Sequence, residues 1–313
     1  MRIGVLLGGT PLGRWQMTAA LALGACLAAG SGAAQEPHRE ILAGKLQDEL
    51  LQIASDSPGV LGIHVVDLTS GERFGVNDQL VFPQGSAIKV AGLVELYKQA
   101  AAGTLRVEEQ VAITKAAAVS GSQLQYFKDG TSSLSLHDLA VLMIIVSDNM
   151  ATNLLIDRVG MDNVNRTMAE LGLANTKLQR KMIRPEESAR GNENLSTPQE
   201  AAALMERIFR CDVPLGPAEC RELRDILEIP HEGPIRDAVP PDVTVGQKTG
   251  TITGVRVNWG YVDLPGRPYI VTATPQVFIR VGGTSEAIGT DLNTLRASII
   301  KALLDDADLT AMS

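Results

Sequence analysis

Apolar residues Ile41, Leu42, Leu46, Leu50, Leu51 and Ile53 recur at helical spacing and predict a helix over 38–55. Gly59 to Leu68 and Arg73 to Gly75 read as two strands around a turn at Thr69-Ser70-Gly71. From Ser86 the pattern turns helical for about 150 residues. The first of these helices stops at Gly103, a residue suited to the left-handed position after a helix. A second opens at Ser135 with Asp138 three places on, a capping box, and turns Leu139, Leu142, Met143 and Val146 inward. Another runs from near Met150 to near Gly160, and Thr197-Pro198-Gln199-Glu200 carries the cap, the first-turn proline and the acid of a further helix start. Leu173 to Ser196 is polar and poor in pattern, and a loop of that length inside a compact domain usually carries function. After Val243 strand signals return, with turns at Pro265-Gly266 and Gly282-Gly283, before an amphipathic helix around Leu295, Ile299, Ile300 and Leu303.

Helix, strands, many helices, strands, helix is an α+β order. It predicts an antiparallel sheet built from the N- and C-terminal segments and flanked by terminal helices, with an all-α domain inserted. The expected boundaries are 36–85 with 236–308 for the sheet domain and 86–235 for the helical one. Residues 1–34 stand apart: Arg2 and Arg14, no acid, then an apolar stretch from Met17 to Ala34 broken only by small residues. This is the pattern of an export signal, cleaved after Ala34, or at Cys26 if Leu23-Gly24-Ala25-Cys26 is a lipoprotein box that would leave a lipid anchor there. A periplasmic or extracellular location follows.

In an oxidising compartment Cys211 and Cys220, nine apart across a Pro- and Gly-rich turn, can close a small disulfide loop; two free thiols are the alternative. The chain has 36 acidic against 28 basic residues, a net charge of −8, which disfavours a nucleic-acid partner. Aromatics at 4% disfavour a stacking platform for sugars or bases. No Cys-x-x-Cys or His-x-x-x-His spacing points to a metal, and no cofactor is expected. The four histidines, His38, His64, His137 and His231, are scattered, and no Gly-x-Ser-x-Gly elbow announces a Ser-His-Asp triad.

Three short motifs fall at the junctions of this order: Ser86-Ala87-Ile88-Lys89 where strand gives way to helix, Ser147-Asp148-Asn149 between two helices, and Lys248-Thr249-Gly250 on a late strand. Singly, each reads as well as a chance match, a helix cap or a strand end; all three in this order form a strong signal. With Phe82-Pro83 before the serine, Thr152-Asn153 after the second motif and Thr197-Pro198 after the long loop, the chain resembles the penicillin-recognising serine hydrolases from about residue 40 to 305. It is most similar to the class A β-lactamases among them.

Residues i and i+3 share a helix face, so Lys89 lies beside the Ser86 hydroxyl, and a second cation at Lys248 would ease its deprotonation. Ser147 suits a proton relay to the leaving nitrogen, Asn149 the substrate's side-chain amide, and Lys248 with Thr249 a carboxylate. The resemblance implies an oxyanion hole from the backbone N–H groups of Ser86 and of Thr251, the residue after Gly250. Arg256 is near where relatives place an arginine for the substrate carboxylate; a surface arginine is the equal reading. In class A enzymes an Arg-x-Glu-x-x-Leu-Asn loop holds the water that hydrolyses the acyl-enzyme. Here Arg184-Pro185-Glu186 matches its first half, while Ala189 and Arg190 stand in place of Leu and Asn, and Asn194 replaces an aspartate. Glu186 is then the hydrolytic base, or one exposed acid among Glu186, Glu187 and Glu193. The expected activity is a monomeric serine β-lactamase acting through acyl-Ser86 on a small-molecule β-lactam. The alternatives are a DD-peptidase or other amidase or esterase acting on a peptidoglycan-derived substrate, and a penicillin-binding sensor that acylates without turnover.

Overall fold

The alternating run after Gly59 forms strand β1 (Val60–Asp67), and Gly71, at φ 78°, turns the chain into β2 (Arg73–Val76). The structure, a computed structural model, describes residues 39–276. The expected export segment 1–34 with Cys26, the Gly282-Gly283 turn and the final helix around Leu295 lie outside the described residues. The chain divides between Lys45 and Leu46 into two compact units, the second of which holds β1 and all that follows. A helix, α1, covers residues 39–56, as its apolar spacing requires.

β1 and β2 join β7 (Thr244–Ile252), β8 (Val255–Asp263) and β9 (Tyr269–Gln276) in a five-stranded antiparallel sheet of order β2-β1-β9-β8-β7. The early and late strands meet where Ile63 pairs with Ala273. Because side chains alternate across a sheet, Leu61, Ile63 and Val65 bury one face of β1, with Leu46 and Leu50 of α1, while Val66 joins Val257, Trp259 and Tyr261 in the core under the helices. Gly62 is a forced choice: a Cβ there would lie 2.6 Å from the Phe82 ring and 2.8 Å from Pro198.

Between the two halves of the sheet run β3 (Phe82–Pro83), a 3₁₀ turn (Gly85–Ile88), and α2 (Lys89–Ala101), whose Val90, Leu93, Val94, Leu96 and Tyr97 are fully buried. Gly103 ends this helical run at φ 69°. The segment expected to be wholly helical contains an antiparallel pair, β4 (Gln110–Ile113) and β5 (Ser132–Ser135). Exposure alternates along Gln110, Val111, Ala112 and Ile113, a period of two hidden among helices.

Then follow α3 (Leu136–Ile145), entered through the Ser135–Asp138 capping box, α4 (Asn149–Val159) and α5 (Met161–Glu170). The long loop holds α6 (Pro185–Ala189) and β6 (Leu195–Ser196), which pairs with β3. Its neck is closed by reciprocal backbone bonds between Lys177 and Leu195. α7 (Pro198–Phe209) starts as expected, with the Thr197 hydroxyl accepting from Glu200 N at 3.0 Å. The Glu200 carboxylate accepts from Asn175 N and the Thr176 hydroxyl, fastening the start of the loop to α7. Cys211 and Cys220 are joined in a disulfide, with Cα atoms 5.8 Å apart, between α7 and α8 (Pro217–Glu228). The short α9 (Pro234–Ala238) precedes β7.

Asp148, 1% exposed, caps α4 through Ala151 N at 2.8 Å and also accepts from the Ser122 hydroxyl at 2.8 Å and Gln123 N at 2.7 Å. Asp148→Ala removes a cap and strands buried donors, so urea denaturation should read a loss of about 2–4 kcal/mol. Ser133→Ala, at an exposed hydroxyl bonded to Gln110, should stay within about 0.5 kcal/mol. Equal effects would contradict the anchoring role.

Candidate active site

Ser86 is half-buried on the 3₁₀ turn, one turn before α2. Gly85 takes φ 50°, in the left-handed region that only glycine enters at little cost. A Cβ on it would lie 3.1 Å from Thr251 N. From the other side, a Cβ on Gly250 would lie 2.3 Å from Gln84 O, 2.7 Å from Ala87 N and 3.1 Å from Ser86 N. The end of β7 thus lies backbone to backbone on the turn that carries Ser86, and two glycines permit it.

Behind Ser86, Lys89 is 2% exposed and its Nζ donates to Ser147 O at 2.7 Å, Ser147 Oγ at 3.1 Å and Asn149 Oδ1 at 3.1 Å. Burial first, and the neighbouring charge of Lys248 second, hold Lys89 well below the usual lysine range; Asp148 opposes them. Lys248, 1% exposed, is lowered by burial to about 7 and donates to Thr249 O at 2.9 Å. Ser147 sits at φ 54°, a conformation that costs roughly 1 kcal/mol or more for a residue with a Cβ. Bonds from Asp148 N to Leu142 O and from Asn149 N to Gly121 O hold that turn. The Asn149 amide also donates to Ser120 O, and a Cβ on Gly121 would lie 2.6 Å from its Nδ2. Ser120, Gly121 and Ser122 therefore form a wall of the site that no sequence motif singled out; the small Ser-Gly-Ser run was its only trace.

On the sheet side, β7–β8 pairing puts Lys248 opposite Trp259, Thr249 opposite Asn258 and Thr251 opposite Arg256. Paired residues share a face, so Thr249, Thr251, Asn258 and Arg256 form one row and Lys248 with Trp259 faces the other way. Arg256 is half-buried beside Thr251, whereas the residue across from Thr249 is Asn258.

In the long loop Glu186 has the setting of the exposed acid, the second of the two sequence readings. Glu186 lies in the first turn of α6, its side chain 52% exposed and its recorded partner Arg184 at 3.9 Å. Glu187 is tied to Arg190 and Asn192, and Glu193 to Arg180 at 2.8 Å. Pro185 starts a short surface helix that leaves Glu186 exposed on its first turn. Two residues of the loop, Leu178 and Met182, line the small apolar cavity beside Lys89 together with Thr152, and Met182 is 4% exposed. Asn153 grips Met182 by its backbone, accepting from its N at 2.8 Å and donating to its O at 3.1 Å. Asn194 likewise accepts from Gln179 N and Arg180 N. His64 binds Asp78 at 2.7 Å, and its Nε2 is buried with no partner among the described residues, so this pair activates no serine.

Two depressed lysines also set a pH dependence. Between about pH 7 and the unfolded lysine value near 10.5, the unfolded chain holds protons that folded Lys248 does not, so stability rises with pH across that window. Lys248→Met removes this contribution. Its stability relative to the parent, from urea titrations at pH 6.5, 8 and 9.5, should be highest at the lowest pH and fall as pH rises; a pH-independent difference would contradict the depressed value.

A model of the beta-lactamase enzyme family matches residues 45–276. An imipenem-hydrolysing β-lactamase of Enterobacter cloacae is 26% identical over 210 residues, 65% of this chain and 71% of that protein. A variant of PBP-A, solved as an acyl-enzyme complex with penicillin G, superposes at TM-score 0.71 with 28% identity over 84% of this chain and 97% of the other. A β-lactamase from Sphaerobacter thermophilus does so at 0.73 with 27% identity, over 84% and 97%. With the antiparallel sheet and a family match running over most of its length, the chain belongs to the beta-lactamase enzyme family of penicillin-recognising serine hydrolases.

Proposed function

We propose that this protein is an exported serine acyl-transfer enzyme that forms an ester at Ser86 with β-lactams or peptidoglycan-derived peptides and releases it slowly, as a DD-peptidase or penicillin-binding protein does. The observation that carries the reading is Met182: the loop offers a thioether, not a carboxylate, to the cavity beside Lys89. Residues 1–34 serve export in this reading.

Neutral Lys89 takes the Ser86 proton as Oγ attacks the amide carbonyl carbon. A lysine buried beside a second cation is suited to this near neutral pH. The carbonyl oxygen gains charge and accepts from Ser86 N and Thr251 N; losing one such donor typically costs roughly 3–4 kcal/mol of barrier. As the C–N bond breaks, the nitrogen takes a proton through Ser147, whose hydroxyl already lies 3.1 Å from Lys89 Nζ. Because β7 is an edge of the sheet, Lys248 from one face and Thr249 from the other can both reach a substrate carboxylate at that edge; Arg256 beside Thr251 shares the row of Thr249, and Asn149 receives the substrate amide.

The ester then waits for a base. A positioned general base is worth roughly 10²–10⁴-fold, and Glu186 on the outer face of α6 supplies none to the Lys89 cavity. Rapid β-lactam hydrolysis is the second reading, favoured by relatives named as β-lactamases.

Mass spectrometry after penicillin should find an adduct equal to the whole penicillin on the parent protein, persisting for minutes or longer, and none on Ser86→Ala. Glu186→Gln should leave its lifetime unchanged, while Met182→Glu, which puts a carboxylate beside Lys89, should shorten it by roughly tenfold or more. Fast nitrocefin turnover by the parent, stalled by Glu186→Gln, would overturn the reading in favour of a β-lactamase.

A further inference from the structure

Gln84, two residues before Ser86, is fully buried and spends every polar group it has. Its Nε2 donates to Phe82 O at 2.8 Å and Ser196 O at 3.1 Å, its backbone N donates to Asn194 O at 2.8 Å, and its backbone O accepts from Ala87 N at 3.0 Å. Its Oε1 accepts from Trp259 Nε1 at 2.9 Å. Trp259 is also fully buried and stands opposite Lys248 in the β7–β8 register. One amide therefore ties the turn of Ser86 to the returning end of the loop and to the strand that supports Lys248 and Thr251.

We propose that Gln84 and Trp259 form a positioning pair for acylation, fixing the nucleophile turn against the sheet so that Ser86 N and Thr251 N stay aimed at one oxygen. The inference rests on the acylation reading above. The turn and β7 meet largely through backbone at Gly85 and Gly250, with the Ile252 Cγ2 methyl packed near Gly85, so the contact rests on van der Waals packing without a directional side-chain bond to fix its spacing. The Trp259 indole, rooted in β8 and hydrogen-bonded to the residue next to Gly85, is the fixed strut across it. Oxyanion donors tolerate little displacement: a misplacement of about 1 Å can cost roughly 10²-fold. Neither side chain touches the substrate in this account; both act through the turn.

The test is stopped-flow acylation by nitrocefin at a range of concentrations. This separates the dissociation constant of the initial complex from the rate constant of ester formation, in the parent, Trp259→Phe, Gln84→Met and the double variant. Circular dichroism and thermal melts identify folded protein, and rates are taken per folded molecule. Trp259→Phe keeps an aromatic ring and removes the donor, and should slow ester formation about tenfold or more with the initial complex within about twofold. Gln84→Met should do at least as much. If the pair acts as a unit, the double variant should be no slower than Gln84→Met. Variants that melt lower but acylate at the parental rate, that weaken only the initial complex, or that combine multiplicatively, would overturn the proposal and leave a structural role. A parent that gains no adduct at Ser86 at all would instead overturn the acylation reading, and the positioning role with it.

Discussion

Two lysines buried side by side behind a serine are the constraint around which this site is arranged. Taking an ammonium out of water is costly, and a second one nearby raises the cost; both effects push Lys89 toward the neutral amine. The surroundings offer acceptors, Ser147 O, Ser147 Oγ and Asn149 Oδ1, in place of a carboxylate partner at the Nζ. A neutral amine has two N–H donors and one lone pair, so it can give two of these bonds at a time and keep the lone pair for the Ser86 proton. A bond from Lys89 Nζ to Ser147 Oγ runs in the direction in which a proton passes on to the leaving nitrogen.

The fold supplies the burial. α2 is sunk among α3, α4, α5 and α8, and Lys89 in its first turn is left 2% exposed. The strained turn at Ser147 is held by Asp148 beneath it, with three donors converging on one carboxylate from α4 and the 122–123 segment. Strain at the relay serine is thus offset by an anchor one residue away. On the facing side, Gly85 and Gly250 let the backbone of β7 approach the backbone of the turn, which is what two backbone donors on different elements need to share one oxygen.

Much of this could be read from the sequence because the informative residues are local. The Ser135–Asp138 capping box, the Thr197-Pro198 helix start, the Gly71 and Gly103 stops and the sheet drawn from both ends depend on short-range chemistry or simple periodicity. So do Ser86 and Lys89, whose relation is one helical turn. The β4–β5 pair was illegible because four residues of period two cannot outweigh helical signals on both sides. The Lys89 cavity was illegible because Asn153 and Met182 are brought together by tertiary packing, and a loop motif matched by spacing alone cannot say which way a side chain turns. Glu186 satisfied the spacing and faces outward; Met182 satisfied no motif and faces in. Gln84 and Trp259, far apart in the chain, left no trace in the pattern.

Lysine-selective NMR of the free protein, assigned through Lys89→Arg and followed from pH 5 to 11, reads the protonation of the amine behind Ser86. Lys89 should titrate well below the ordinary lysine value near 10.5, and Lys248→Met should move it upward by removing the second charge. A Lys89 that titrates near 10.5, unmoved by the loss of Lys248, would contradict both: the amine behind Ser86 would then be an ammonium at neutral pH and unable to take the proton.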